Sequence, residues 1–458
     1  MTVSTEAPGV FAVQQGKRRS LCTDFSWTFV GNAIYAGGQF ATLMLLAKLL
    51  PPELVGQYAL GLAMVYPVIN LANLQLRAVM TSGTRQHTHF GYYLTLRLLT
   101  TSLALAIIFA ITQILRYRWE LTAVVLMVGV AYAIEAISDV YYARLQLYDR
   151  MAEMSKSLIA RAVLSVLALA IATYISRSLL WGIVGIVLAR AGVLFGYDIC
   201  ERTHGLAGQF KRFSRNEALT PRLDVKVQLK LLWLSFPLGI VVLLVALNSS
   251  VPSYFIKHAL GERDLGIFAA IGFAVSVGNM AVVSLGQSAF TRLARSYAAG
   301  NLAEFGSLLA KLLAFGAAVG VCGMIISKLA GREILTILFR PEYAERADLL
   351  PWIMAAGGVV YMAQFLGFGM TAANFYNSQV VLNILANLSL IAACYWLVGR
   401  QGLLGVIIAM LIAAIVQLAA SAIILVMGVR TLAHAPKNWK QHDAFAPYPF
   451  HRNGEPSQ

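Results

Sequence analysis

Charge is scarce in this sequence. Only 12% of its residues are Asp, Glu, Lys or Arg, about half of the roughly 25% usual in soluble domains. That scarcity, beside 59% hydrophobic residues, excludes an ordinary water-soluble globule. Cysteine is sparser still: Cys22, Cys200, Cys322 and Cys394 are scattered with neither paired nor metal-ligand spacing. No disulfide framework, metal site, redox motif or cofactor is therefore expected. Short segments of alternating polarity are also missing, which excludes an outer-membrane barrel. Lys17, Arg18 and Arg19 precede the first apolar run, and no small-residue cleavage site follows a short apolar core. That run is expected to remain as an anchor instead of being removed as a signal peptide.

Apolar stretches of 20 or more residues recur along nearly the whole chain, and about 20 such residues cross the hydrocarbon of a bilayer as a helix. We expect an all-α polytopic membrane protein with twelve helices near 26–50, 56–80, 92–115, 120–144, 156–176, 179–200, 230–252, 265–291, 305–327, 347–373, 378–398 and 402–427. They divide into an N-terminal bundle (26–200) and a C-terminal bundle (230–427), joined by a polar linker at 201–229. A segment at 1–25 precedes them, and a polar, proline-bearing tail at 428–458 is expected to be disordered. Lysines and arginines orient the chain. With the N-terminus in the cytoplasm, 24 of the 36 fall at cytoplasmic ends and loops, 11 on the other side, and Arg190 within a span. Both termini are then cytoplasmic, and the net charge of +15 implies attraction to anionic lipid headgroups. Nucleic acid is a poor partner for basic residues spread over many short loops.

The stretch "LPPELVGQYALGLA" at 50–63 interrupts this oily pattern, and "LGERDLGIFAAIGF" at 260–273 resembles it. At an offset of 210, Gly56, Tyr58 and Ala59 fall on Gly266, Phe268 and Ala269, and Thr81 and Arg85 on Thr291 and Arg295. At an offset of 220, Gly182, Gly185 and Ala189 fall on Gly402, Gly405 and Ala409. Matches in the same helix order indicate a duplication. Because six helices return the chain to its starting face, the copies are parallel, as in transporters whose two bundles rock about a central site. The prolines should end the first helix, and Gly56 should let the second begin tightly against its neighbour.

With "LLPPELVGQYALGLA" after the first span and "GRQGLLGVIIAMLIA" at 399–413, the chain from about 20 to 427 resembles the polysaccharide-biosynthesis (Wzx-type) flippases. These belong to the multidrug/oligosaccharidyl-lipid/polysaccharide exporter superfamily. The resemblance implies two pseudo-symmetric six-helix bundles in a bacterial inner membrane. It also implies translocation of lipid-linked oligosaccharide, a polyprenyl-diphosphate-linked unit for exopolysaccharide, capsule or lipopolysaccharide, with polysaccharide assembly proteins as candidate partners; the driving force is either an H+ or Na+ gradient acting through Glu135 or consumption of the product outside. It supplies no residue roles, so candidate residues rest on the sequence.

Polar groups inside spans cost free energy in lipid and usually face protein or a wet cavity. Helix 1 carries Asn32, Tyr35, Gln39 and Thr42 on one face, helix 2 carries Tyr66, Asn70, Asn73 and Arg77, and helix 4 carries Tyr132, Glu135, Asp139 and Tyr142. Glu135 and Arg190 each lie about 13 Å from a membrane boundary, nine residues at 1.5 Å per residue. They are the leading candidates, Arg190 to hold a diphosphate by its forked donors and Glu135 to neutralise it or to take a coupling ion; a static ion pair is the structural alternative. Arg77 follows, and Asp139, five residues before Arg144, is either the helix partner of that arginine or a second cavity acid. Arg97, Arg144 and Arg161, near cytoplasmic helix ends, could meet the headgroup or simply snorkel to the interface, and Lys48 suits an outer anchor. The second half offers amides instead, Asn248, Asn279, Gln287, Gln364, Asn374, Asn383 and Asn387, which can bond sugar hydroxyls or tie helices together.

An ion-coupled exporter of small cations would want a cavity dominated by acids, whereas here arginines accompany them. A membrane glycosyltransferase or polymerase would need clustered acids in a sizeable loop, and the longest loop holds only Glu201, Glu217 and Asp224. The chain is therefore not expected to be an enzyme. A channel is disfavoured by the 6+6 arrangement.

Overall fold

A computed structural model describes residues 21–81, 89–148, 150–199 and 221–434. Arg85, most of the linker, residues 1–20 and the tail from 435 lie outside the described residues. All regular structure among those described is helical. In the first half, α1 is Leu21–Leu49, α2 Pro52–Asn73, α3 Phe90–Ile114, α4 Trp119–Leu147, α5 Met151–Ser176 and α6 Leu179–Val193. In the second, α7 is Val225–Ala259, α8 Glu262–Ala298, α9 Leu302–Leu338 and α10 Leu350–Ala372. The remaining helical stretch, Tyr376–His434, is interrupted at Gly402, with φ 59° and ψ −136°. A Cβ on Gly405 would meet the carbonyl of Leu397, eight residues back, which a continuous helix would hold about 12 Å away. The chain thus reverses at Gly402, giving α11 before it and α12 after it. Eleven helical stretches are long and apolar enough to span a membrane; separating these two arms gives the expected twelve.

Several boundaries depart from expectation. The second helix is not continuous to residue 80: Leu74 and Gln75 both adopt φ 49°, ending α2, and a short helix Leu76–Thr81 follows. The polar stripe from Tyr66 to Arg77 is therefore broken between Asn73 and Arg77. α6 passes into a π-helix at Leu194–Ile199, and α7 begins at Val225, inside the stretch assigned to the linker. α8 and α9 run to 37 residues each, about 55 Å at 1.5 Å per residue, so they project beyond a hydrocarbon layer of about 30 Å.

The interruption at residues 50–56 starts a helix as well as ending one. Pro51 is extended and Pro52 occupies the first turn of α2, where a missing N–H costs nothing. Gly56 lies one turn inside α2, and its neighbour is the repeated copy. A Cβ on Gly56 would overlap the carbonyl of Glu262, while one on Gly266 would overlap the carbonyl of Pro52. The two contacts are reciprocal, because 52 and 262 are related by the same offset of 210 as 56 and 266. The seam thus sits on the local two-fold relation between the halves. At the position matching Pro51, Gly261 makes the turn with φ 97°, a conformation that favours glycine.

Around this seam the halves share a core containing Leu46, Val55 and Leu60 from the first and Leu265, Ile271 and Ile353 from the second. Phe40 on α1 stacks on Phe273 of α8 at 4.4 Å, and the Tyr254 hydroxyl donates to the Ala63 carbonyl at 2.7 Å. Glu262 accepts from Gln57 of the first half at 2.8 Å and pairs with Lys257. We call this the outer end, following the expected orientation. At the other end the contact between halves runs through α7, where Leu231 packs with Leu74, Phe90 and Tyr93.

Candidate functional site

Helical spacing on α4 sets Glu135 and Asp139 one turn apart on one face, and each engages arginines from other helices. Arg190 of α6 donates from Nη1 to Glu135 at 2.7 Å and to the Ala131 carbonyl at 3.1 Å. Its guanidinium lies 5.1 Å from the centre of the Tyr132 ring, a cation–π contact. The other Glu135 oxygen accepts from the Tyr35 hydroxyl of α1, which in turn accepts from Gln39 at 2.8 Å. Equal depth in the sequence thus corresponds to direct contact. Arg190 is buried, at 5% exposure, yet its Nε has no hydrogen-bond partner among the described residues. The Glu135 side chain is 26% exposed.

Towards the end opposite the seam, Asp139 accepts from Arg77 at 3.4 Å and from Arg97 at 3.5 Å. Arg97 also donates to Asn73 at 2.6 Å, and Arg77 to Gln146 at 3.0 Å. The break at Leu74 and Gln75 therefore leaves Asn73 and Arg77 in one cluster. Arg97 is fully buried and its Nε is also without a partner among the described residues. In these two clusters three guanidinium groups face two carboxylates, a surplus of one positive charge. Removing such ions from water carries a penalty of several kcal/mol each that only good pairing offsets.

Arg161 belongs elsewhere. It pairs with Asp198 at 3.1 Å, both side chains being 1% exposed. Ser157 donates to Asp198 at 2.5 Å and shares a hydrogen bond with the Tyr142 hydroxyl at 2.8 Å. Arg144 lies over the rings of Phe90 and Tyr148 at 5.5 and 5.9 Å. Snorkelling describes neither Arg97 nor Arg161, which are buried, whereas Lys48 is exposed. Asn32 and Asn70 donate to carbonyls one turn back, Thr28 and Tyr66; neither joins a charged cluster. Asp198 went unnoticed in the sequence, although it follows Arg190 by eight residues, close to two helical turns.

The second half ties helices with amides. Asn387 of α11 donates to the Leu244 carbonyl of α7 at 2.9 Å, and Gln379 bonds the Gly367 carbonyl and the Thr371 hydroxyl. The carbonyl oxygens of Asn279 and Gln364 are buried without a partner among the described residues.

A family model described as "Polysaccharide biosynthesis protein" matches residues 21–296. A capsular polysaccharide biosynthesis protein, CapF of Staphylococcus aureus, is 24% identical over 399 residues, covering 86% of this chain and 96% of that protein. Among solved structures, the lipid II flippase MurJ in an inward closed conformation superposes with a TM-score of 0.66 at 12% identity, covering 90% of both chains. A multidrug-resistance MATE family transporter of the MOP superfamily, inward-facing, gives 0.58 at 13% identity, covering 89% of this chain and 94% of that one. A MOP superfamily transporter from Pyrococcus furiosus gives 0.59 at 12% identity over the same shares. The fold is that of MOP-superfamily transporters.

Proposed function

Since the chain belongs to the polysaccharide biosynthesis protein family, matched over residues 21–296 of its 458, we propose that it flips lipid-linked oligosaccharide across a bacterial inner membrane. The substrate in this reading is a sugar repeat unit on polyprenyl diphosphate, taken from the cytoplasmic leaflet and released to the outer one. The observation that carries it is the arginine surplus inside the first half. Among the described residues, Glu135 and Asp139 are the only carboxylates paired with Arg190, Arg97 and Arg77, and the Nε donors of Arg97 and Arg190 are without a partner there.

A diphosphate is doubly charged and rich in acceptors, and guanidinium forks match its oxygens in pairs. Glu135 and Asp139 act as resident counter-ions while the site is empty. When phosphate oxygens take the arginine donors, the released carboxylates can accept a proton or sodium ion, which would link headgroup binding to an ion gradient. A cationic drug would have to compete with arginines already bonded to both acids, so the exporter alternative fits less well. The seam of Gly56, Gly266, Gln57 and Glu262 suits a state closed on the outer side, with the headgroup admitted from the cytoplasm and the two halves rocking about it. The lipid tail stays in the bilayer. No step in this cycle makes or breaks a covalent bond.

The test is transport of a fluorescent oligosaccharide-diphosphate-polyprenol in proteoliposomes, with leaflet occupancy read by a membrane-impermeant quencher. Arg190→Ala combined with Glu135→Gln, which avoids an orphaned carboxylate, should lower the rate at least tenfold while the protein remains folded. Full transport by that folded variant would overturn the assignment. Efflux of a cationic dye by wild type, without movement of the lipid, would favour the exporter.

A further inference from the structure

The strongest feature outside the arginine clusters is a cleft of about 400 Å³ at the outer end of the second half, within the usual range for small-molecule sites. Three separate turns build it. The α7–α8 turn with the first turn of α8 contributes Leu260 and Asp264, the start of α10 with the turn before it contributes Arg346, Asp348 and Trp352, and the α11–α12 reversal contributes Gln401 and Gly402. Leu349 and Leu403, both 5% exposed, make an apolar floor. Trp352 is 55% exposed, so a ring face is open to a ligand. The side chains of Asp264, Arg346, Asp348 and Gln401 make no hydrogen bond or ion pair with a described residue. An arginine and two aspartates line one cleft without neutralising each other.

We propose that this cleft is a saccharide-binding subsite for neutral or N-acetylated sugars on the outer side of the membrane. A pyranose ring alternates an apolar face of C–H groups with a rim of hydroxyls. Trp352 offers the flat apolar surface for the face, since an indole brings large contact area with little conformational freedom to lose. The carboxylates of Asp264 and Asp348 accept from neighbouring hydroxyl pairs, and Gln401 and Arg346 donate to ring and acetamido oxygens. Two carboxylates against one guanidinium leave the cleft with a net negative charge, opposite in sign to the arginine clusters. That polarity rejects a diphosphate or a uronic acid and sets the cleft apart from the headgroup site.

Its location gives it a use. Glu262, which bonds Lys257 and reaches across the seam to Gln57, lies two residues before Asp264 in the same turn. The cleft, lined by second-half residues alone, stands at the same end of the molecule as that seam, and in the flippase reading the glycan is released at this end, within its reach. A subsite there holds the sugar end on the outer side while the seal closes behind it. The natural occupant, a segment of the transported glycan, rests on the proposed flippase reading; the chemistry of the cleft does not.

Binding is measured on the full-length protein in nanodiscs by saturation-transfer difference NMR, with N-acetylglucosamine, glucose, glucuronic acid and choline as probes. The first two should bind saturably in the millimolar range, with glucuronic acid at least tenfold weaker. Trp352→Ala and Asp348→Asn should each weaken binding roughly tenfold, about 1.4 kcal/mol, and Trp352→Phe should retain most of it. Absence of saturable sugar binding by wild type would overturn the proposal and leave Trp352 as an interfacial anchor. So would affinity unchanged by Trp352→Ala, or preference for choline or glucuronic acid. Transport is scored separately. Sugar binding that persists in a protein unable to move any lipid-linked glycan would refute the flippase reading alone, and transport without sugar binding would refute the subsite alone.

Discussion

A side chain at Gly266 should force the two halves of the protein apart at their outer end. The obstacle facing a new Cβ there is the Pro52 carbonyl, a backbone group that cannot rotate away as a side chain would. To restore ordinary contact of roughly 3.2 Å or more, α2 and α8 must separate by about 1 Å, and dispersion contacts along the seam weaken steeply over such a gap. Overpacking of this kind costs about 1–3 kcal/mol. In the rocking cycle proposed above the cost falls on the outer-closed state, because that is the state in which α2 and α8 touch at these residues. Gly266→Val should therefore lower the midpoint of thermal unfolding and raise the reactivity of a cysteine introduced at Gln57 towards an impermeant maleimide. Gly56→Val should behave alike, since the Glu262 carbonyl faces it in the reciprocal position. Gly272→Ala is the control on the same helix, its Cβ coming no nearer than 3.8 Å to Ile353. If Gly266→Val matched Gly272→Ala in both stability and accessibility, the seam would not be the closed contact between the halves.

Other consequences follow from burial. Asp198→Asn should destabilise the protein by about 3–5 kcal/mol by leaving Arg161 buried beside no counter-charge, whereas Arg161→Met with Asp198→Leu should recover most of the loss; equal thermal midpoints for the single and double variants would contradict this. Arg97→Ala should cost more stability than Arg77→Ala, because the first side chain is fully buried and the second 33% exposed, yet both should slow transport of the lipid-linked substrate. In a cysteine-free background, impermeant reagent applied to intact cells should label Arg118→Cys and spare Arg295→Cys, both positions being exposed; the reverse pattern would invert the expected orientation.

Much of this was legible in sequence because bilayer physics leaves few options. Every spanning backbone must satisfy its own hydrogen bonds, so the apolar runs could only be helices, and the repeat at residues 50–63 and 260–273 located the seam. Glu135 and Arg190 were also legible, since two opposite charges at one depth in lipid are far cheaper together than apart. Illegible features depend on how helices are rotated against each other. Nothing in "NLQLR" marks a break, because Leu74 and Gln75 reach φ 49° without the glycine that usually announces it. Arg97 and Arg161 have the span-end positions of snorkelling residues, and only packing shows that Asn73 and Asp139 close around the first and Asp198 around the second. Asp198 sits in the π-helix Leu194–Ile199, where the register on which face arguments rely is lost.

Duplication supplies the sharpest test of what the central ion pair does. "GVAYAIE", residues 129–135 of α4, recurs as "GVVYMAQ", residues 358–364 of the matching helix α10, so Glu135 corresponds to Gln364. At the offset of 220 that aligns α6 with α12, Arg190 corresponds to Met410. One half carries both charges and the other neither, as expected when a buried ion without its partner costs several kcal/mol but a pair can be replaced by packed neutral groups almost without loss. The backbone contact at Gly56 and Gly266 left no comparable freedom. Glu135→Gln with Arg190→Met, which copies the second half into the first, should therefore fold with stability within about 1–2 kcal/mol of wild type, whereas Arg190→Met alone should lose about 3 kcal/mol or more. If the pair only fixed helix packing, the double variant would transport as well as wild type. If Arg190 holds the diphosphate, the double variant will be folded and inactive, and restoring arginine at position 190 alone will recover headgroup binding despite the missing carboxylate.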